Sequence, residues 1–205
     1  LAIGLVLLLI WHLMQTGLGF GEAVRQASFN GISIMTGTGY VSANFSAWGG
    51  FATTILLIVM FIGGCGGSTT CGIKVFRLQV LASTAKVQIS RLLRPHAVVL
   101  AYYNKRPVSV EVMDSVMGFF YLFILGFALI AIMLGIAGLD FVTALSGAAT
   151  SISNVGPGLG EVIGADGNFS TLPNSAKWIM SFAMLLGRLE IFTVLVMLNP
   201  AFWQR

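Results

Sequence analysis

Four apolar runs constrain the fold of this chain more than any other feature of the sequence. They extend over residues 1–11, 51–62, 116–136 and 178–197, and the first is short and begins without Met, as a helix entered partway along would. About 20 apolar residues cross roughly 30 Å of hydrocarbon. With 57% hydrophobic and 9% charged residues, a water-soluble globule could not bury its apolar surface. The sequence therefore predicts an all-α integral membrane protein.

Charged residues indicate how these runs would be oriented in a membrane. Basic residues are concentrated between the second and third runs: Lys86, Arg91, Arg94, Lys105 and Arg106. Acidic residues predominate in the two opposite connections: Glu22, Asp140, Glu161 and Asp166. The positive-inside rule then predicts that the basic connection and the C-terminus are cytoplasmic. Membrane topology accounts for the net charge of +4, so we predict no nucleic acid partner.

The two halves of the chain repeat one order of features. Adding 117 to the residue number places Gly39 on Gly156, and adding 124 places residues 60–64 on 184–188. Each half contains a helix, a short helix, a glycine loop and a second helix. We therefore predict three regions: a pore repeat with a truncated first helix over 1–94, a basic cytoplasmic linker over 95–108, and another pore repeat over 109–205.

The short helices are predicted to enter the membrane and return. Residues 22–35 and 140–152 form stretches of about 13 residues, which is roughly 20 Å of helix and too short to span. Glu22 lies in the first turn of one stretch, and Asp140 can cap the other, where acidic groups suit the positive end of the helix dipole. The negative ends of both helices then point toward the glycine loops, which favours a cation there.

The glycine loops have the composition of an ion filter. The first loop comprises Thr36, Gly37, Thr38, Gly39 and Tyr40, and the second comprises Ser153, Asn154, Val155, Gly156 and Pro157. Aligned carbonyls need backbone angles that glycine adopts readily, and they replace the water around a dehydrated cation. One such loop alone would be a tight turn. Two such loops at equivalent positions of the repeat, each after a half-length helix, predict a cation filter made of backbone carbonyls.

A glycine-rich segment, residues 63–72, interrupts the crossing that begins at residue 51. Its five glycines would each destabilise a continuous helix by about 1 kcal/mol relative to alanine, so we predict a break in the helix below the filter. The alternative is a helix contact made of small residues, as membrane proteins often use. Because the second half lacks a comparable insertion, we favour a role other than packing.

Arg188 is the most unusual single residue. It lies near the middle of the last apolar run, where an ionised side chain costs at least about 2.5 kcal/mol and marks a functional candidate. Glu190 is two positions further and faces another side of a helix. The repeat aligns Arg188 with Gly64, so we predict that its charge lies beside the glycine-rich segment and opposes cations. The alternative is a buried Arg paired with a distant carboxylate.

These motifs resemble those of a known family. The stretches 37–40 and 154–158 are similar to degenerate forms of the Thr-Val-Gly-Tyr-Gly filter of potassium channels, and the whole chain resembles the C-terminal half of the TrkH/KtrB potassium transporter superfamily. The resemblance implies four tandem repeats around one pore, with the third at 1–94 and the fourth at 109–205. It also implies a gate formed by these residues: Gly63, Gly64, Gly66, Gly67, Ser68, Thr69, Thr70, Gly72 and Arg188.

The resemblance implies K⁺ uptake through a gated pore, with K⁺ bound by the filter carbonyls. Val41 and Pro157 depart from the channel pattern, so Na⁺ and Rb⁺ are further candidate ions. Multiple crossings of a bacterial inner membrane, a homodimer and a cytoplasmic nucleotide-binding regulatory subunit are also implied, and the linker could contact that subunit or anionic lipid.

Two other functional classes remain open at this point. An ion-coupled K⁺ or Na⁺ symporter also uses broken helices, and a structural membrane subunit would show no ion dependence. An enzyme is disfavoured because His12 and His96 are isolated and Cys65 and Cys71 lack metal-ligand spacing. We expect Lys74 and Arg77 to extend toward the cytoplasmic interface without forming a site.

Overall fold

The computed structural model describes residues 2–17, 19–68, 70–94, 99–189, 191–198 and 202–203. The first half contains α1 (Ala2–Thr16), α2 (Phe20–Thr36), a 3₁₀ turn (Phe45–Trp48), α3 (Gly50–Phe61) and α4 (Val75–Leu93). A short hairpin of β1 (Tyr102–Tyr103) and β2 (Arg106–Pro107) follows. The second half contains α5 (Val110–Ile136), α6 (Phe141–Ser153), α7 (Gly160–Ile163), a second 3₁₀ turn (Phe169–Thr171), α8 (Asn174–Arg188) and α9 (Ile191–Leu198).

Among the described residues, α5 is the one helix that is both long and apolar enough to cross a membrane. It has 27 residues and begins before the apolar run that predicted it. Two of the other apolar runs belong to divided crossings. The glycine-rich segment separates α3 from α4, as predicted. The run at 178–197 was predicted to be continuous, and this is wrong: α8 ends at Arg188 and α9 begins at Ile191.

Helix α1 extends beyond its apolar run because polar residues at its end find partners. His12 is buried, its Nε2 lies 3.1 Å from Oε1 of Gln26, and its ring stacks at 4.1 Å on Trp48. The indole Nε1 of Trp11 donates to the backbone oxygen of Trp48 at 2.7 Å. The sequence analysis described His12 as isolated, but its contacts connect α1 to α2 and to the 3₁₀ turn.

Helix α6 occupies the centre of the molecule. Most of its side chains are small and buried, including Ala148, Ala149 and Ser151, which lets neighbouring helices approach closely. One apolar cluster joins α6 to α5 and α8. The other joins α1, α2 and α3 to residues of the second half, so the two repeats share a core. This central position fixes the end of α6 relative to both repeats.

The two short helices begin differently. Helix α6 matches its predicted length of 13 residues, and Oδ2 of its N-cap Asp140 accepts from the backbone N–H of Thr143 at 3.1 Å. Helix α2 is longer than predicted, with 17 residues, and has Glu22 in its first turn but no side-chain cap. Hydrogen bonds from Thr143 lower the pKa of Asp140 below its ordinary 3.8.

The Asp140 cap should contribute measurably to stability. We expect Asp140→Ala to lower the free energy of unfolding by about 1 kcal/mol, and Asp140→Asn, which keeps an acceptor, to stay within about 0.5 kcal/mol of wild type. Because the pKa is lowered in the folded state, the stabilisation is present above pH 3.8 and is lost as the pH falls through the folded-state pKa. Thermal unfolding of the complete protein measures both effects, and equal losses in both variants would contradict the capping role.

The hairpin after α4 was not predicted. Tyr102 pairs with Pro107 and Tyr103 with Arg106, around a two-residue turn at Asn104 and Lys105 whose φ angles are +47° and +63°. Two left-handed residues are typical of the turn that suits a tight hairpin, although glycine more often takes the second position. The Oγ of Ser83 donates to the oxygen of Tyr102 at 3.0 Å, which docks the hairpin on α4.

Candidate functional site

The chain leaves α2 and α6 through turns of the same geometry. Gly37 has φ 69° and ψ 21°, and Asn154 has φ 52° and ψ 44°, so both are left-handed C-caps. Glycine adopts this conformation without strain, and Asn is among the residues that tolerate it. The next N–H groups, of Thr38 and Val155, bond at 3.0 Å to the carbonyls of Ser33 and Thr150. These equivalent bonds recur at the offset of 117 residues.

A second left-handed residue follows two positions later in each loop. Gly39 has a φ of 74° and Gly156 a φ of 115°. A Cβ at Gly39 would lie 2.4 Å from the carbonyl oxygen of Val155 and 3.1 Å from the ring of Pro157. A Cβ at Gly156 would lie 3.7 Å from the Cα of Gly39. The two glycine loops, predicted from opposite halves of the sequence, therefore pack side by side.

Hydroxyl and amide groups behind the first loop fix its path. The Oγ of Ser33 donates to the carbonyl of Tyr40 at 2.7 Å, and Oγ1 of Thr36 lies 2.7 Å from that of Thr38. Asn30, which is fully buried, accepts from the N–H of Ser42 at 3.0 Å through its Oδ1. The sequence analysis did not single out the supporting residues Asn30, Ser33 and Ser42. Asn30 and Ser33 are three positions apart and so share a face of α2, which was the available signal.

The second loop is supported by equivalent groups. The Oγ1 of Thr150, at the position equivalent to Ser33, accepts from the N–H of Gly156 at 3.0 Å. The Nδ2 of Asn154 donates to the carbonyl of Met184 at 3.0 Å, which attaches the loop to α8. Ser153 is buried, and its Oγ has no hydrogen-bond partner among the described residues. Any contribution of Ser153 to an ion path would therefore come from its backbone.

The glycine-rich segment leaves α3 and returns beside it. Its base is closed by backbone bonds: the N–H of Gly63 donates to Ile73 at 3.0 Å, and that of Ile73 donates to Phe61 at 2.8 Å. A Cβ at Gly63 would lie 2.3 Å from the carbonyl oxygen of Cys71, so only glycine fits there. The predicted helix break is present, and its cause is this close backbone approach. Thr69 lies outside the described residues.

The returning half of the segment lies against the turn at Gly37. A Cβ built on Gly37 would be 3.7 Å from Cγ2 of Thr70 and 3.5 Å from the carbonyl oxygen of Asn154. Gly67, near the tip, has a φ of 87°. Gly64 faces the hydroxyls of Ser68 and Thr70 closely enough that a Cβ there would lie 2.7 and 3.0 Å from them. Thr70 thus places the segment beside the turn at Gly37, which itself adjoins Asn154 of the second glycine loop.

Arg188 reaches the same segment from α8. Arg188 is the last residue of α8 and does not lie in the middle of a helix. Helix α8 ends where its last turn packs against α6, since a Cβ at Gly187 would lie 1.9 Å from the carbonyl oxygen of Ile152. The Nη1 of Arg188 is 3.6 Å from Sγ of Cys71. Arg188 therefore lies beside the glycine-rich segment as predicted, although the sequence analysis did not single out Cys71 as a contact. Glu190 lies outside the described residues.

The outer loops of the two halves are also joined. Asn44 and Asn168 begin the two 3₁₀ turns, and each accepts through Oδ1 from the N–H two residues later. The Nδ2 of Asn44 donates to Oδ2 of Asp166, and the Oγ of Ser46 donates to the carbonyl of Gly160 at 3.0 Å. These bonds connect the stretches that follow the two glycine loops.

Comparison with known proteins gives consistent similarities. The profile of a family described as TrkH, cation transport protein, matches residues 13–205. The Trk system potassium uptake protein TrkI of Halomonas elongata is 46% identical over 198 residues, which are 97% of this chain and 40% of the relative. The Trk system potassium uptake protein TrkH of Escherichia coli is 36% identical over 181 residues, which are 88% and 37%.

A solved structure agrees with the sequence matches. The crystal structure of the potassium transporter TrkH from Vibrio parahaemolyticus superimposes with a TM-score of 0.85 at 38% identity. The match covers 96% of this chain and 41% of that chain. The chain therefore spans about two fifths of the length of these relatives.

Proposed function

This chain belongs to the TrkH family of cation transport proteins, and on that premise we propose that it contributes half of a gated pore for potassium uptake. Its relatives are named as transport proteins rather than enzymes. In this proposal residues 1–94 and 109–205 act as two pore repeats, the third and fourth of four, and 95–108 connects them. Two further repeats of the same protein would supply the other quarters of the filter.

The observation that carries the proposal is the pairing of the two glycine loops. Because Gly37 and Asn154 form equivalent left-handed turns, both loops leave their short helices with the same backbone geometry. Helix C-termini carry partial negative charge, and two of them here end at adjacent loops. A K⁺ ion would be coordinated by backbone carbonyls of Thr36, Gly37, Thr38, Gly39 and Tyr40 and of their counterparts, Ser153, Asn154, Val155, Gly156 and Pro157.

We further propose that the glycine-rich segment and Arg188 form the gate. Thr70 lies beside the turn at Gly37, and the base of the segment is closed by bonds between residues 61–64 and 73–75. The contact of Arg188 with Cys71 supports a role for its positive charge in the proposed gate. Opening would require the segment and the guanidinium to move together. The glycines near the tip, Gly66 and Gly67, provide the backbone freedom for such movement.

The cytoplasmic side of the proposed pore would meet a regulator. Helix α4 begins directly after the glycine-rich segment, and the hairpin with Lys105 and Arg106 is docked on α4 through Ser83. A nucleotide-binding subunit that contacts the hairpin would therefore act on a helix continuous with the gate. A homodimer and a location in the bacterial inner membrane, with the basic linker and the C-terminus cytoplasmic, complete the proposal on the family resemblance.

Flux through the complete protein in liposomes tests the proposed function. We expect uptake of rubidium down its electrochemical gradient without a second ion, competed by potassium and more weakly by sodium. Liposomes without protein provide the background. Uptake that saturates at carrier-like rates and needs a second ion would instead establish an ion-coupled symporter, and no uptake above background would contradict both.

A further inference from the structure

Two buried polar side chains of α2 hold the stretch that follows the first filter glycine, residues 40–42, which we define as the first arm. Asn30 and Ser33 are three positions apart and lie on one face of the helix. The Oγ of Ser33 donates to the carbonyl of Tyr40 at 2.7 Å. The Oδ1 of Asn30 accepts from the N–H of Ser42 at 3.0 Å, and its Nδ2 donates to Oγ of Ser42 at 3.1 Å. The first arm is therefore attached to α2 at both of its ends.

The bonds of Asn30 require a donor and an acceptor in one buried side chain. Its Nδ2 also donates to the carbonyl of Gln26 at 2.8 Å, one turn earlier in α2. That bond orients the amide so that its oxygen faces the N–H of Ser42. An ionised aspartate has no N–H donor, and an apolar side chain has neither group. Loss of the amide would leave the N–H of Ser42 without its bond, and displacement of the first arm would relieve that cost.

Helix α6 has no counterpart of the Asn30 amide. The offset of 117 residues places Gly147 at this position, where a Cβ would lie 3.4 Å from Cδ1 of Ile163 in α7. The buried apolar side chain of Ile163 therefore packs against the position at which the first repeat has an amide. The equivalent stretch of the second loop, residues 157–159, must be held by other groups. We define it as the second arm.

The groups that hold the second arm come from both α6 and α7. The Oγ of the buried Ser146 donates to the carbonyl of Leu159 at 3.2 Å, and the N–H of Gly158 donates to the carbonyl of Ile163 at 2.7 Å. A Cβ at Gly158 would lie 2.4 Å from Cδ1 of Ile163, so this contact is close. Loss of the Ser146 hydroxyl would therefore leave the attachment to α7 in place.

On the premise of the proposed function, we propose that Asn30 and Ser33 are positioning residues that set the discrimination between K⁺ and Na⁺. Selectivity in a filter of carbonyls depends on the size of the space that they form or on how many of them coordinate the ion. A carbonyl oxygen has two lone pairs, so that of Tyr40 can accept from Ser33 and still face an ion. The bond fixes the direction of this carbonyl, and Asn30 fixes the backbone two residues later. A released first arm would let the carbonyls close around the smaller Na⁺.

The ratio of rubidium to sodium uptake by the complete protein in liposomes tests the role of Ser33. We expect Ser33→Ala to lower this ratio about fivefold, because the bond to the Tyr40 carbonyl is lost. Ser33→Thr keeps the hydroxyl and should retain the wild-type ratio, and Thr150 occupies the equivalent position in the second repeat. A role in folding alone would lower the uptake of both ions together and leave the ratio unchanged.

The same assay compares the two arms. Asn30→Ala should lower the ratio about tenfold, because both bonds to Ser42 are lost. Ser146→Ala should change it by less than about twofold, since the second arm stays attached to α7. Thr84→Ala is the control for loss of a buried polar group. Its hydroxyl bonds within α4 to the carbonyl of Val80 at 2.9 Å, so the ratio should equal that of wild type.

Hydrogen exchange of the complete protein in detergent follows the arms independently of ion flux. Amides of the first arm should exchange faster in Ser33→Ala and Asn30→Ala than in wild type, while those of the second arm should keep their wild-type rates. The Ser33 pair keeps the test decisive if Asn30→Ala does not fold. Wild-type ratios in a conducting Ser33→Ala, or unchanged exchange of the first arm, would overturn the positioning role alone. A wild type that takes up no rubidium would instead refute the proposed function.

Discussion

Gly39→Ala is expected to reduce rubidium uptake by the complete protein to below about a tenth of wild type. A side chain at this position adopts a φ of 74° only with about 1–2 kcal/mol of strain. The larger effect is steric, because the new Cβ would lie 2.4 Å from the carbonyl oxygen of Val155. Relief of that overlap must move one loop away from the other, and with it the carbonyls proposed to coordinate the ion.

A control substitution at another glycine distinguishes the effect of backbone strain on stability from the effect of loop displacement on ion flux. Gly138 also has a positive φ, of 92°, but a Cβ there would meet no atom within 4 Å. Gly138→Ala should therefore destabilise the protein by about 1–2 kcal/mol and leave flux per folded molecule unchanged. Flux assays normalised to folded protein measure both variants. Wild-type flux in folded Gly39→Ala would contradict the assignment of this loop to the ion path.

Arg188→Ala should have the opposite effect to Gly39→Ala and raise rubidium flux by about tenfold. This increase is equivalent to lowering the barrier by about 1.4 kcal/mol. The guanidinium contacts Cys71 in the segment that we propose as the gate, where a fixed positive charge would oppose an approaching cation. Removing it would also remove a contact with the proposed gate. Both effects favour conduction, and liposome flux at fixed protein density measures their sum.

Two variants define what the Arg188 result means. Arg188→Lys keeps the charge and should conduct within about threefold of wild type, since the barrier is chiefly electrostatic. Arg91→Ala removes an exposed charge near the end of α4 and should leave the flux unchanged. Unchanged or abolished flux in correctly folded Arg188→Ala would count against the barrier role. An equal increase in Arg91→Ala would assign the effect to surface potential.

Features with a local cause were predictable from the sequence. The glycine loops and the break at residues 63–72 were predicted because glycine composition limits which backbone angles and helices are favourable. Asp140 was predicted as a cap, and the structure shows the bond to Thr143. Each of these depends on residues within a few positions of one another. Neighbouring residues alone contain the required information.

Features that depend on distant contacts were missed or misplaced. The final apolar run was predicted to be continuous because its composition is apolar, yet α8 ends where Gly187 meets the backbone of α6. The hairpin at 102–107 has a turn of Asn104 and Lys105 without the usual glycine, and its contact with Ser83 is not visible in local sequence. In both places, packing rather than local preference decided the outcome.

By itself the sequence determined the membrane-protein class, the two-fold repetition and the positions at which helices give way to glycine loops, because hydropathy and backbone preference act locally. The tertiary structure alone placed Gly39 against Val155, and it brought Arg188 into contact with Cys71. These residues are separated by more than 100 positions, and only the packing of both repeats around the buried helix α6 brings them together. Close packing of small side chains on α6 is the physical reason that two weakly similar halves share one candidate ion path.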